Sequence, residues 1–376
     1  MKLLKIIGIS FSVLVGLVVV IGGLFVNLSP QFGGTHSEND ITRFNSSKNY
    51  KEGQFFNLEL TRTTPSFSDL PKLIKEMTRE VSNLIPSKKL PVQIVPEEEI
   101  EVLSKQTRVI WFGHSAFLLE ISGKRLLIDP MLSDVPAPHP LLGSERFTKE
   151  LPIAIEDLPK IDAVILSHDH YDHLDYETIL KIKDKVGKYF TPLGVGTHLQ
   201  EWGIAKEDIS ELDWWEEAQF DSLTFVATPA RHFSGRGLSD SKKTLWASWV
   251  IKSENENIYF SGDSGYGKHF KDIGDKYGPF DLALMECGQY NDSLTEFAIH
   301  MLPEETAQAS LDVKAKVVLP VHWASFSLNR HPWKDPIERL VVKTNDMDLQ
   351  LVTPIIGQVV ELNNLENSST AWWKDY

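Results

Sequence analysis

The sequence predicts a layered α/β domain behind one N-terminal membrane-crossing helix. Three observations point there. Residues 6–26 are 21 positions without a charge, preceded by Lys2 and Lys5. From Thr107 onward, short apolar runs of strand character are interspersed with segments of helical spacing. Histidine or aspartate closes several of those apolar runs, which places polar groups at strand ends.

As a helix rising about 1.5 Å per residue, residues 6–26 span roughly 30 Å, the thickness of a bilayer core. The lysine flank is expected to stay in the cytoplasm, which makes this a single-pass membrane protein with its main domain extracytoplasmic. A cleaved signal peptide has a shorter apolar region and an A-x-A-like site, and no such site follows Val26. An uncleaved anchor over residues 1–28 is therefore expected. Cys287 is the single cysteine, so neither a lipid-modified cysteine after the anchor nor an internal disulfide is available.

Residues 29–54 are polar and turn-rich and read as a linker. Residues 55–106 read as an N-terminal elaboration, with a helical pattern over Leu70–Ile85 and breaks at Pro65, Pro71, Pro86, Pro91 and Pro96. The main domain is expected over 107–362 and a tail over 363–376. Within the domain, strands are expected at Val109–Phe112, Phe117–Ile121, Leu126–Ile128, Ala163–Leu166, Leu223–Ala227, Leu245–Ile251, Ile258–Phe260, Leu282–Met285 and Val317–Val321. Helices are expected at Tyr176–Val186, Pro303–Val313 and Pro336–Val342. Pro303 suits the first helical position, and Glu304 and Glu305 suit the first turn. No internal sequence repeat is visible.

Composition bounds the function. The chain is 42% hydrophobic and 24% charged, an ordinary globular balance. Its net charge of −14 and its lack of a basic run disfavour a nucleic-acid partner and make a nuclease the least favoured activity.

The densest signal is Ser167-His168-Asp169-His170-Tyr171-Asp172-His173-Leu174-Asp175, between the Ala163–Leu166 strand and the Tyr176 helix. His168, His170, Asp172 and His173 place four ligand types within six residues. Two imidazoles one residue apart can share a metal, and the following Asp-His pair can turn to a second. Mixed imidazole and carboxylate ligands suit zinc, iron or manganese. Downstream, Leu223–Ala227 leads to His232, Ile258–Phe260 to Asp263 and Val317–Val321 to His322. A sheet places such strand ends along one edge, where sites on α/β sheets lie.

This ordered set resembles the metallo-β-lactamase superfamily over about residues 107–357. The resemblance implies an αββα sandwich and two divalent metal ions, zinc being the leading candidate. It implies His168, His170 and His232 on one metal, Asp172, His173 and His322 on the other, and Asp263 between them. A narrower likeness lies in Trp111-Phe112-Gly113-His114-Ser115, in residues 170–175, in Thr228 to Arg236, in Leu245-Trp246-Ala247-Ser248-Trp249, in Gly262 to Tyr266 and in His322-Trp323-Ala324-Ser325-Phe326. These segments resemble the N-acylphosphatidylethanolamine-hydrolysing phospholipase D family and its bacterial relatives. The sequence departs from the animal enzymes at its N-terminal anchor and through Glu286–Gln289.

That likeness implies a membrane-anchored phosphodiesterase acting on N-acylphosphatidylethanolamine or a related phospholipid, with the membrane as its partner. Metal-activated water is expected to attack phosphorus, with Asp172 both ligand and orienter. His300, just before the Pro303 helix, is placed to contact phosphate or protonate a leaving group, or else is a helix-start histidine. His114 reads equally as a structural or a catalytic group. Asp129 is expected to order the site loops. Arg231 and Arg236 are expected at the surface rather than on phosphate. Cys287 is expected to be buried, and His36, His139, His198, His269 and His331 to be structural or superficial. The pairs Trp214-Trp215 and Trp372-Trp373 fit core packing somewhat better than a lipid interface. A lactonase or amidase on the same scaffold is the alternative activity, since a fold hosts several chemistries. A metal-binding envelope protein without turnover fits a full ligand set less well. The oligomeric state is not legible.

Overall fold

The computed structural model describes residues 2–366 and 368–376. Met1 of the expected anchor and Asn367 of the expected tail lie outside the described residues, as do the side chains of residues 2–4 and 8. Helix α1 (Lys2–Leu28) is 27 residues, long and apolar enough to cross a membrane. From Ile6 to Leu24, Gly8 aside, its side chains are exposed rather than packed on the domain.

Residues 29–54, expected as a linker, hold a short helix α2 (Glu38–Phe44) and the hairpin β1 (Tyr50–Lys51) and β2 (Gln54–Phe55). Ser37 and Asp40 form a capping box that starts α2. Phe44, Tyr50 and Phe55 meet ring to ring at 4.8–5.5 Å and are buried in the main core. Three aromatics thus tie a polar stretch onto the domain. Helix α3 (Leu70–Thr78) is shorter than the expected Leu70–Ile85. Arg79 turns to extended backbone and Asn83 takes a positive φ, so the apolar spacing beyond Thr78 is not helical. Helix α4 (Glu97–Glu101) follows.

Among the described residues, the domain comprises two seven-stranded sheets. The first contains β3 (Arg108–Trp111), β4 (Phe117–Ile121), β5 (Lys124–Ile128), β6 (Ile161–Ile165), β7 (Val186–Pro192) and β8 (Ile209–Leu212). Helix α5 (Tyr176–Ile182) follows β6, and α6 (Gly196–Glu201) follows β7. The second sheet contains β9 (Glu217–Phe220), β10 (Leu223–Thr228), β11 (Ser248–Lys252), β12 (Asn257–Phe260), β13 (Leu282–Glu286), β14 (Val317–Val321) and β15 (Gln350–Leu351). Helix α7 (His269–Tyr277) follows β12, α8 (Pro303–Asp312) follows β13, and α9 (Asp335–Thr344) follows β14. Strand β16 (Val359–Glu361) returns to the first sheet, antiparallel to β3.

Each sheet shows three antiparallel pairings followed by three parallel ones. The fold therefore repeats its topology where the sequence shows no repeat. Several elements differ from expectation. The helix expected over Tyr176–Val186 ends at Ile182, a 3-10 turn follows, and Val186 opens β7. Its place in the helical spacing is coincidental. Strand β11 begins only at Ser248, and β7, β8, β9, α6 and α7 were not anticipated.

Strand alternation sorts side chains between layers. Trp111, Phe117, Leu119, Ile128 and Ile165 face Phe225, Trp249, Phe260, Leu284 and Leu319 between the sheets. Phe117 and Phe260 meet there at 5.4 Å. The opposite face of the first sheet buries Leu118, Leu127 and Val164 under Ile179, Ile182 and Leu199. The second sheet buries Val250, Tyr259 and Val318 under Phe270, Ile273 and Ala309. This is the expected αββα sandwich. Trp372 and Trp373 pack in its core beside Trp323, at 5.5 and 5.8 Å.

One charged cluster braces the first sheet. Glu120 is 1% exposed and accepts from Arg108 Nε at 2.7 Å, Arg125 Nε at 2.9 Å and the Ser104 backbone at 2.9 Å. Burial would raise its pKa, but the two guanidiniums outweigh burial and hold it below the usual value. Its stabilising contribution is therefore present above pH about 4.3 and is lost as pH falls through the lowered folded value. Glu120→Ala takes the carboxylate from buried Arg108 and half-buried Arg125 and is expected to cost about 3 kcal/mol, read from chemical denaturation midpoints.

Candidate metal centre

The loop from Ser167 to Asp175 leaves β6 and enters α5, where Asp175 accepts from the Thr178 backbone as N-cap. His232 lies just past β10, Asp263 just past β12, and His322 directly after β14. Gly262 takes φ +55°, and a Cβ there would sit 2.7 Å from the Ala247 carbonyl oxygen. Glycine therefore allows the tight turn that delivers Asp263. His322 itself takes φ +66°.

The predicted residues converge. His170 Nδ1 lies 2.9 Å from His168 Nε2 and 3.2 Å from His232 Nε2. His173 Nε2 lies 3.4 Å from Asp172 Oδ2, and His322 Nδ1 lies 3.2 Å from Asp263 Oδ1. Asp263 stands between the two groups. Its Oδ2 is 3.1 Å from His173 Nε2, 3.9 Å from His168 Nε2 and 3.8 Å from His232 Nε2.

Not every ligand atom finds a hydrogen-bond partner in the cluster. His173 Nε2 and Asp263 Oδ1 are fully buried yet make no well-formed hydrogen bond. Buried polar atoms are rarely left so, and atoms aimed at a shared point are what a cation requires. His168, His170 and His232 offer ligand atoms within 4.8 Å of one another, as do His168, His173 and Asp263. The residues fit a bound divalent metal.

The β-lactamase superfamily domain model matches residues 124–323. The chain belongs to the metallo-β-lactamase superfamily. It is a metal-dependent hydrolase of that superfamily, and its relatives share much of its length. A Mycobacterium tuberculosis protein is 41% identical over 320 residues, covering 84% of each chain. The N-acyl-phosphatidylethanolamine-hydrolyzing phospholipase D 1 of Caenorhabditis elegans is 31% identical over 317 residues, covering 78% of this chain and 88% of its own. The structure of Igni18, a metallo hydrolase from Ignicoccus hospitalis, shares the fold with TM-score 0.52 and 23% identity, over 68% of this chain and 98% of its own.

In this metallo-β-lactamase site, burial pushes His168, His232 and His322 well below the usual histidine range. Neutral imidazole is the form that binds metal. Burial also opposes a charge on His173, but Asp263, Asp172 and Asp129 outweigh it and raise that group. Behind the ligands, Asp129 Oδ2 lies 2.7 Å from His173 Nδ1 and accepts from Ser167 Oγ, whose oxygen is 2.9 Å from His168 Nδ1. His232 Nδ1 faces the Ile299 carbonyl at 2.9 Å. Such partners fix ring orientation. Asp129→Ala is expected to weaken metal affinity about 10–100-fold, measured by competition with a chromogenic chelator.

His300 lies beside the cluster, its ring 5.0 Å from His232 and 5.2 Å from His322. Its Nδ1 is 2.9 Å from Glu286 Oε2, and Glu286 also accepts from the Met301 backbone at 2.7 Å. Burial raises the Glu286 carboxyl to about 7 despite His300. Burial lowers His300, but Glu286 outweighs it and the imidazole ends raised.

Of two further residues at the site, His114 was left open between a structural and a catalytic reading and Glu286 was not singled out from sequence. His114 takes φ +52°, and its Nε2 is 2.9 Å from Asp172 Oδ2. Glu286 closes β13 as the ligands close their strands, so the same pattern could have found it. Arg236 is not a surface group, and Arg231 is half-buried. Arg236 is 4% exposed, covers the Tyr171 ring at 4.1 Å and donates to the Asp169 and Leu174 carbonyls. Arg231 donates to the Tyr266 carbonyl and to Thr61 Oγ1. Both brace loops. Buried His198, 3.4 Å from Asp169, and His269, 3.0 Å from Ser264 Oγ, have structural partners, and Cys287 is buried.

Proposed function

We propose that this protein is a membrane-anchored phosphodiesterase that cleaves N-acylphosphatidylethanolamine or a related phospholipid at the bond a phospholipase D breaks. The observation that carries hydrolysis is the His300–Glu286 pair standing beside seven converging ligands. Likeness to the nematode phospholipase supports the substrate, and α1 supports access to lipid.

His168, His170 and His232 would hold one divalent ion, and Asp172, His173 and His322 a second, with Asp263 shared. Zinc suits this mixed set. When bound, such ions supply water acidified towards neutral pH and offset charge on phosphoryl oxygens. Asp172, held by His114 at 2.9 Å, would be the group that orients the attacking water. His300 gives its proton to the leaving oxygen, and Glu286 keeps the imidazole charged until then. Helix α1 crosses the bilayer with its lysine-flanked end in the cytoplasm.

The test incubates purified full-length protein in detergent with N-acylphosphatidylethanolamine, with His170→Ala in parallel. Phosphatidic acid and N-acylethanolamine, detected by mass spectrometry and absent from the control, are the expected products. Metal-loaded protein that leaves the lipid intact would overturn the substrate, and a lactone panel would come next.

A further inference from the structure

The residues 136–143, Pro-Ala-Pro-His-Pro-Leu-Leu-Gly, carry no aspartate, glutamate, lysine or arginine in a chain that is 24% charged. They form a loop that carries a 3-10 turn at Pro140–Leu142. Leu141 is 88% and Leu142 64% exposed. The base of the loop is braced. Buried Arg146 donates to the Met131 carbonyl at 2.7 Å and the Ser133 carbonyl at 3.0 Å, and its backbone N–H to Asp134 at 2.8 Å. The two leucines are therefore held outward by a fixed scaffold, not carried on a slack segment.

The loop stands where α1 ends. Phe25, in the last turn of α1, meets the His139 ring at 6.2 Å. The chain leaving α1 is pinned to the domain, since Trp202 Nε1 donates to the Pro30 carbonyl and Arg236 Nε to the Gln31 carbonyl, each at 2.8 Å. The same stretch reaches the metal loop: Phe25 packs on Phe32 at 5.5 Å, and Phe32 on Tyr171 at 6.4 Å. Tyr171 lies between His170 and Asp172.

We infer that residues 136–143 are a second membrane contact, with Leu141 and Leu142 entering the acyl region of the leaflet from which α1 emerges. The inference rests on the reading of α1 as a membrane anchor. The occupant is lipid because the loop meets α1 at its interfacial end, through His139 against Phe25, and its exposed leucines carry no charge to keep out of a leaflet. With α1 and the loop both seated, the domain cannot swing freely, and the loop bearing His170 and Asp172 stays at the bilayer surface.

The test places a nitroxide label at Leu141→Cys in the full chain, reconstituted in phosphatidylethanolamine–phosphatidylglycerol nanodiscs. Buried Cys287 leaves the introduced thiol as the one that takes label. Val19→Cys, 67% exposed in α1, serves as the reference for the anchor. The expected result is a label at position 141 that collides more with oxygen than with a water-soluble nickel chelate, as the label at 19 does. A water-accessible label at 141 beside a lipid-embedded label at 19 would overturn the inference and leave the anchor intact. Water-accessible labels at both positions would overturn the anchor and the inference with it.

Discussion

Replacing Asp263 by alanine is expected to lower hydrolysis by roughly a thousand-fold or more and to strip metal from the purified protein. A bound metal contributes several kcal/mol of transition-state stabilisation, and about 1.4 kcal/mol is a factor of ten. Asp263 approaches three imidazoles of the loop and strand ends within 3.9 Å through one oxygen and His322 through the other. Its loss therefore touches every group at once, whereas losing His232 alone leaves the opposite ligands in place. The check is metal content by inductively coupled plasma mass spectrometry beside turnover, with thermal unfolding to show that the protein still folds. An Asp263→Ala protein with full metal content and full activity would mean that the convergence of ligands is only structural.

His300→Ala is expected to reduce turnover by about 10²–10⁴-fold while metal content stays unchanged, the range for removing a general acid. The loss should shrink for a substrate whose leaving group departs without a proton. Glu286 makes the more specific prediction. Its carboxylate outweighs burial and raises the His300 pKa, so the protonated imidazole persists to higher pH. Activity that needs this proton is lost as pH rises through that raised value. In Glu286→Gln the support is gone and the pKa falls, by roughly one to three units for a neighbouring opposite charge. The alkaline limb of the kcat profile should move to lower pH by a comparable amount. An unmoved alkaline limb would exclude His300 as the acid.

The legibility of this protein follows from how locally each feature is encoded. The seven candidate ligands could be read because four crowd into the one loop after β6 and the other three follow the apolar runs of β10, β12 and β14, and a run of four or five buried residues such as Val317–Val321 leaves little choice of structure. Glu286 obeys the same rule at the end of β13 but is a common acidic residue, so nothing singled it out until His300 was found 2.9 Å away. Strand β7 escaped because Val186 extends a helical spacing that only the intervening 3-10 turn breaks. Strand β9, Glu217–Phe220, is half exposed and polar, and its pairing with β10 is not written in its own composition. Arg236 looked like a surface cation because its acceptors, the Asp169 and Leu174 carbonyls, lie more than sixty residues away. Long-range partners of this kind are settled by the fold and not by local pattern.

The repeated topology has a consequence for how the molecule can be divided. His114, His168, His170, Asp172 and His173 come from the half built on the first sheet, and His232, Asp263 and His322 from the half built on the second. Neither half holds all of the candidate ligands. Metal occupancy and the docking of the two halves are then one equilibrium viewed from two sides, since an ion that binds only the joined form favours joining. A cut between β8 and β9 would part the loop holding His168 to His173 from His232, Asp263 and His322, and would leave β16, a strand of the first sheet, on the second fragment.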